Sequence, residues 1–221
     1  VDTDATHAGA FARYRQNQQG DGFKATGDVI YSHTENDASR NVSTALGKQH
    51  MKGSFDQNII GGGLELAYDW SPASDQATVL TPYLAGRYAH LEQDGFTESG
   101  DLGMKVGGTH ADSFTTTVGV KAARDFVVSD TVILTPKATL GWLHQWADRD
   151  VAADSNFVGS PVTFITRSIK LDTDAAVVGV SLDMLIKTGK SWALSLKLGY
   201  GADIRKNGND QTVFTGFELK F

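Results

Sequence analysis

Gln211-Thr-Val-Phe-Thr-Gly-Phe-Glu-Leu-Lys-Phe221 alternates apolar with polar or small residues and stops on an aromatic. With a period of two, Val213, Phe217, Leu219 and Phe221 share one face, and Thr212, Gly216, Glu218 and Lys220 share the other. That is the pattern of a strand with one apolar side. A soluble domain seldom ends this way, whereas a closed membrane barrel must pair its last strand and turn the apolar face to lipid.

The same period recurs upstream. Val132, Leu134, Pro136, Ala138, Leu140, Trp142 and Trp146 alternate with Thr131, Thr135, Lys137, Thr139, Gly141 and Gln145. Trp192, Leu194, Leu196, Leu198 and Tyr200 face away from Ser195, Lys197, Gly199, Gly201 and Asp203. Further strands are expected at 7–17, 22–35, 54–71, 78–93, 110–126 and 173–187, about nine in all with the terminal one. Residues 39–52 are expected to extend the neighbouring strands; if they form a strand of their own, the count becomes ten. The fold class is all-β, an antiparallel transmembrane barrel of the outer-membrane type. A soluble sandwich or ligand-binding barrel could show the same alternation with its apolar face inward.

Composition agrees without deciding. A net charge of -6 and a pI near 5.4 argue against a nucleic-acid partner. With no cysteine, neither a disulfide framework, a thiolate metal site nor a cysteine nucleophile is available. Mean hydropathy is -0.24, and apolar runs such as Ala175-Ala-Val-Val-Gly-Val180 fall far short of the roughly 18 residues that a spanning helix needs. Spanning helices are excluded; one-sided strands, whose two faces average out, are not. No charged stretch followed by an apolar one opens the chain, so any signal peptide is expected to have been removed.

The connections discriminate better than the strands. Short links at 17–22, 128–131 and 187–190, and a somewhat longer one at 71–77, alternate with longer polar ones near 35–53, 94–109 and 148–172; only 206–210 breaks the rule. An outer-membrane barrel shows this asymmetry, with its short turns in the periplasm. Phe221 is then periplasmic, Val1 is extracellular, and the chain is expected to lack N-terminal strands of its barrel.

Several phrases resemble the translocator barrel of the type V autotransporters, the self-secreting proteins of Gram-negative bacteria. They are Gly62-Gly-Leu-Glu-Leu-Ala-Tyr-Asp-Trp70, Leu80-Thr-Pro-Tyr-Leu-Ala-Gly-Arg-Tyr88, Phe96-Thr-Glu-Ser-Gly100, Leu134-Thr-Pro-Lys-Ala-Thr-Leu-Gly-Trp142 and the terminal Phe217-Glu-Leu-Lys-Phe221. Their order matches the family over nearly the whole chain. The resemblance implies a twelve-stranded barrel of the outer membrane, a linker helix in its pore and an N-terminal passenger delivered to the cell surface. It implies one domain over residues 1–221 without the first strands or the linker. The expected partners are outer-membrane lipid, the barrel-assembly machinery and the protein's own passenger and linker. A stand-alone porin or adhesin working through its long loops is the rival.

Candidate residues follow from the alternation. Lys24, Asp28, Glu65, Arg87, Lys121, Lys137, Lys197, Glu218 and Lys220 point away from the apolar face, toward a hydrated lumen. Trp70, Tyr88, Trp142, Trp146, Trp192 and Tyr200 lie on apolar faces, several near strand ends, as interfacial girdles do. Val213, Phe217, Leu219 and Phe221 resemble the signal that assembly machinery reads. No enzymatic activity, cofactor or metal is expected. His144 with Asp148 and Asp150, or His33 with Glu35, could be written as acid-base or metal pairs, but exposed loop ends make solvated residues the better reading. Gly61-Gly-Gly63 falls inside a strand, where glycine marks curvature or close packing rather than a phosphate cradle.

Overall fold

The computed structural model describes residues 1–17, 20–44, 47–72, 77–100, 102–146, 152–167, 172–188 and 192–220. Among them there are strands and no helix. In chain order these are β1 (Asp2–Arg15), β2 (Gly22–Thr44), β3 (Gly47–Asp69), β4 (Thr78–Gln93), β5 (Phe96–Thr97), β6 (Met104–Val106) and β7 (Thr109–Arg124). There follow β8 (Phe126–Ser129), β9 (Val132–Gln145), β10 (Ala152–Phe157), β11 (Thr163–Arg167), β12 (Asp174–Thr188), β13 (Trp192–Arg205) and β14 (Gly208–Lys220).

Nine long strands make one antiparallel sheet in the order β1-β2-β3-β4-β7-β9-β12-β13-β14, with β8 as a short spur on β9. Each long strand lies beside the next long strand of the sequence, the meander expected of alternating segments joined end to end. The described part of 39–52, residues 39–44 and 47–52, forms no tenth strand but lengthens β2 and β3, which pair from Gly22↔Asp69 out to Thr44↔Gly47. Strand β4 has the expected bounds, while β14 starts three residues early because the turn after Arg205 is tight.

Two segments expected to be plain loops are built differently. Residues 94–109 and 148–172 contribute β5, β6, β10 and β11 to a second sheet, ordered β11-β10-β6-β5. Strands of two to six residues are too brief to show a period, and the β6–β10 pairing joins two separate loops. This cap is anchored to the β2–β3 hairpin. Arg40 donates to both carboxylate oxygens of Glu98 and to the carbonyl of Leu102, Glu98 accepts the Met104 amide at 2.9 Å, and Phe55 stacks on Phe96 at 4.8 Å. Gly100, at φ +100, closes its turn against the fully buried Met51.

Little of the apolar surface is covered. Among the described residues the buried apolar ones are Met51, Ala67, Tyr83, Ala175 and Ala202. The accessible surface is 14641 Å², against about 9,800 Å² for a compact soluble chain of this mass. Leu194 and Leu196 are half-buried and Leu198 is 60% exposed, so among the described residues the leucine face of β13 packs against no second layer. That rules out the sandwich.

The opposite face is concave. Arg13 on β1 and Asp203 on β13, at nearly opposite ends of the strand order, line one cavity of about 450 Å³. Among the described residues β1 pairs with β2 alone and β14 with β13 alone.

Candidate functional site

The register sorts the polar residues onto the concave face. Lys24 stands opposite Ala67, and Glu65 opposite Thr26 and Ala85. Arg87 stands opposite Gly63 and Thr115, and Lys121 opposite Thr81 and Thr139. Lys197 faces Asp183 and Gly216 across its two ladders, and Glu218 faces Ser195. Directly opposed residues in an antiparallel ladder point to the same side, so these residues share one face with Asp28 and Lys137. Lys220 lies at the end of the same strand as Glu218, two residues on.

Ion pairs bridge that face, and two of them skip a strand. Arg87 on β4 reaches over β3 to Asp28 on β2, Nη2 to Oδ1 at 3.0 Å. Lys121 on β7 reaches over β4 to both carboxylate oxygens of Glu65 on β3, at 2.6 and 2.7 Å. Side chains on the inside of a curled sheet converge, which is why partners two strands apart meet. What lies between is shaped for it. A Cβ on Gly63 would sit 3.0 Å from Asp28 Oδ1 and 3.2 Å from Arg87 Nη2, and Lys121 Nζ lies 4.5 Å from the centre of the Tyr83 ring. The glycine run of β3 thus marks close packing beneath a salt bridge.

Elsewhere on the face, Asp183 takes Lys137 at 2.5 Å and Lys197 at 3.9 Å. Near the end of β3, Asp69 takes Lys24 at 2.5 Å and the Thr81 hydroxyl at 2.6 Å. Asp69, Asp183 and Tyr83 were not among the expected residues. Asp183 was readable, because it alternates with Leu182 and Met184; Asp69 was hidden by the strand end. Most of these side chains keep between a fifth and three fifths of their surface exposed, so each pair is worth only about 0–1 kcal/mol. The network makes a wet, charge-balanced wall more than it makes stability.

Five of the six expected aromatics lie toward the two ends of the sheet, and Tyr200 lies in mid-strand opposite Val180 and Val213. Trp70, bridged to Leu80, and Trp192 lie at the end where short links join β3 to β4 and β12 to β13. Tyr88, Trp142 and Trp146 lie toward the capped end, where Tyr88 bonds Asp112, Trp142 bonds Asp174 and Trp146 bonds Thr116. His144 takes Asp174 across the ladder at 2.9 Å; Asp148 and Asp150 lie outside the described residues. His33 bonds Asn58 at 2.9 Å and comes within 3.8 Å of Glu35. On β14, Val213, Phe217 and Leu219 point away from the concave face with Leu196 and Tyr200 of β13, and Phe221 lies outside the described residues.

A sheet with one charged concave face and one uncovered apolar face has a counterpart among known families. Residues 1–199 match the family described as the autotransporter beta-domain. The chain belongs to that family. Its fold is therefore an antiparallel outer-membrane β-barrel, and its place is the outer membrane of a Gram-negative bacterium. The family's β-domain anchors in that membrane and translocates an attached passenger; it is a translocator rather than a catalyst.

Among curated relatives, the chain is 25% identical over its whole length to an extracellular serine protease of Serratia marcescens, of which it covers 20%. It is 30% identical to the uncharacterized protein YaiT of Salmonella typhimurium, over 69% of this chain and 16% of that one. It is 33% identical to the putative uncharacterized protein YaiT of Escherichia coli, over 58% of this chain and 13% of the relative. The chain spans a fifth or less of the length of the curated relatives it matches.

Proposed function

We propose that the concave face carrying Lys24, Asp28, Glu65, Arg87, Lys121, Lys137, Lys197 and Glu218 is the inner wall of the translocation channel, and that the leucine-bearing face meets lipid. The observation supporting this is the Asp28–Arg87 and Glu65–Lys121 pairs, which span the inside of the curl while the reverse face stays uncovered. An extended polypeptide in transit needs water and exchangeable hydrogen bonds along its path. A wall of short-lived, solvated ion pairs provides both without an apolar surface on which the passenger would stick.

Lipid cannot satisfy unpaired backbone groups at a sheet edge, so the sheet belongs to a closed barrel, with a linker helix in its channel. The short-link end faces the periplasm, and Trp70, Tyr88, Trp142, Trp146 and Trp192 sit at the two interfaces. Val213, Phe217, Leu219 and Phe221 form the surface that the barrel-assembly machinery recognises. No chemistry is carried out by this chain; the passenger's activity belongs to the rest of the polypeptide.

This chain has no cysteine, so none of its own side chains competes in a labelling test. Single cysteines at Thr139 and Thr117 on the concave face, and at Leu140 and Val118 on the other, are introduced into the full-length protein. Concave positions should react with a water-soluble maleimide and cross-link to a passenger stalled in transit. Convex positions should do neither. Cross-links from Leu140 and Val118 alone would overturn the assignment.

A further inference from the structure

One arrangement occurs three times on the convex face. Tyr31-Ser-His33, Tyr88-Ala-His90 and Trp142-Leu-His144 each place an aromatic two residues before a histidine on a strand running toward the cap. Opposite each histidine, on the next long strand, stands Asn58, Asp112 or Asp174. In every case the aromatic's O–H or N–H and the imidazole Nδ1 meet on one side-chain oxygen: Tyr31 and His33 on Asn58, Tyr88 and His90 on Asp112, Trp142 and His144 on Asp174. An aromatic girdle requires the ring but neither the histidine nor the shared acceptor.

Beneath the second cluster lies a trench. Gly62 and Gly86 leave its floor bare, Leu64, Leu66 and Leu84 line it, and Phe114 closes its upper end beside Tyr88, enclosing about 400 Å³. Its lining is almost wholly apolar, and it opens on the face that meets lipid. A second apolar trench of about 520 Å³, lined by Ala138, Leu140, Val178 and Val180, runs below Trp142.

We propose that the Tyr88–His90–Asp112 cluster and its trench form a binding site for a glycolipid of the outer leaflet, with an acyl chain along Gly62 and Gly86 and a sugar headgroup on the cluster. The polar groups choose the headgroup. One oxygen of Asp112 holds Tyr88 and His90, and the other is left to accept a hydroxyl. The Tyr88 ring offers a flat apolar surface to a sugar. The neighbouring positions on this face, by register, are Asn58, Glu92 and His110, and none is Lys or Arg. A phosphate would find no fixed cation there, whereas a polyol finds acceptors. The site rests on the orientation proposed above, with the cap outside the cell.

The test uses the full-length protein purified folded from outer membranes. Native mass spectrometry measures retention of lipid A stripped of its phosphates, against phosphatidylglycerol. Wild type should retain the glycolipid about tenfold more strongly, as expected for one hydrogen bond to a charged group. Asp112→Ala, which removes the acceptor, and Gly86→Phe, which fills the trench, should each bring retention down to the phospholipid's level; Ile204→Ala on the same face should not. Equal retention of the two lipids by wild type, or undiminished retention in the variants, overturns the site. Should either variant fail to fold, Tyr88→Leu decides, because it removes the flat ring that the sugar would cover, and unchanged glycolipid retention there also overturns the site. Failure of the channel assignment would show separately, as passenger cross-links from Leu140 and Val118 alone.

Discussion

Arg87 and Asp28 meet at 3.0 Å although a whole strand separates them. Only a sheet curled toward that face brings such partners together, and only a residue without a side chain can lie beneath them. The curl and the charge pairing are thus linked through Gly63, whose neighbours on either side of the ladder are Asp28 and Arg87 themselves.

Gly63→Val should therefore be more disruptive than a strand-favouring substitution has any right to be. The new side chain displaces the ion pair or flattens the curl, at a cost of about 1–3 kcal/mol. Heat-modifiable migration of the folded barrel would show the variant unfolding at a lower temperature. The same substitution at Gly216, where a Cβ meets nothing within 4 Å, should be tolerated. Equal stability of the two variants would count against the packing argument.

The two faces of β9 give a second, paired prediction. Leu140 is 62% exposed on the convex side, and Thr139 points into the curl. A lysine at a lipid-facing midplane costs about 2–4 kcal/mol, and one in a wet lumen costs little. Leu140→Lys should lower the amount of folded protein in the outer membrane, whereas Thr139→Lys should leave it near wild type. Quantifying folded protein in membrane fractions tests both, and the reverse ranking would place the faces the other way round.

How much of this was legible in the sequence depends on the length of each pattern. Segments such as 78–93 and 131–147 carry five or more alternations, so strand, face and approximate bounds could all be read from them. The cap could not. Phe96 and Thr97 offer no period, and their pairing with Val106 and Lys105 is set by Arg40, which lies more than fifty residues away. Faces were readable but partners were not: that Lys121 meets Glu65, or His144 meets Asp174, depends on register and curl, which alternation within one strand leaves open.

The cap should loosen in acid. Glu98 accepts hydrogen bonds from Arg40, which hold its carboxyl below the ordinary 4.5 against the opposing effect of burial, with the Met104 amide adding to the same direction. A carboxylate lowered in the folded state contributes stability that is fully present above its unfolded value and is lost as the pH falls through the folded one. Hydrogen exchange in residues 96–100 and 102–106 should accordingly be slow at pH 7 and rise below about pH 4.5, while the strands of the main sheet stay protected. Glu98→Gln should exchange fast at both pH values. A wild-type cap equally protected at pH 3 would show that this contact does not hold it.

The last strand separates assembly from stability, because its two phenylalanines face opposite ways. Phe214 lies on the concave side against Gly199, where its ring fills the space a Cβ would need. Phe217 is 79% exposed on the convex side and touches little of its own protein. Truncating Phe214 therefore removes packing inside the finished sheet, and Phe214→Ala should lower the unfolding temperature of protein that has already inserted. Phe217→Ala leaves that packing intact and costs only the transfer of one ring to lipid, a few kcal/mol at most. If the assembly machinery reads Phe217 and Phe221, Phe217→Ala and Phe221→Ala should each insert several-fold more slowly. Pulse-chase measurement of heat-modifiable migration gives the insertion rate, and thermal unfolding of the inserted fraction gives the stability. Slowed insertion in Phe214→Ala with normal insertion in Phe217→Ala and Phe221→Ala would mean that the machinery reads the other face, or the backbone edge of β14 alone.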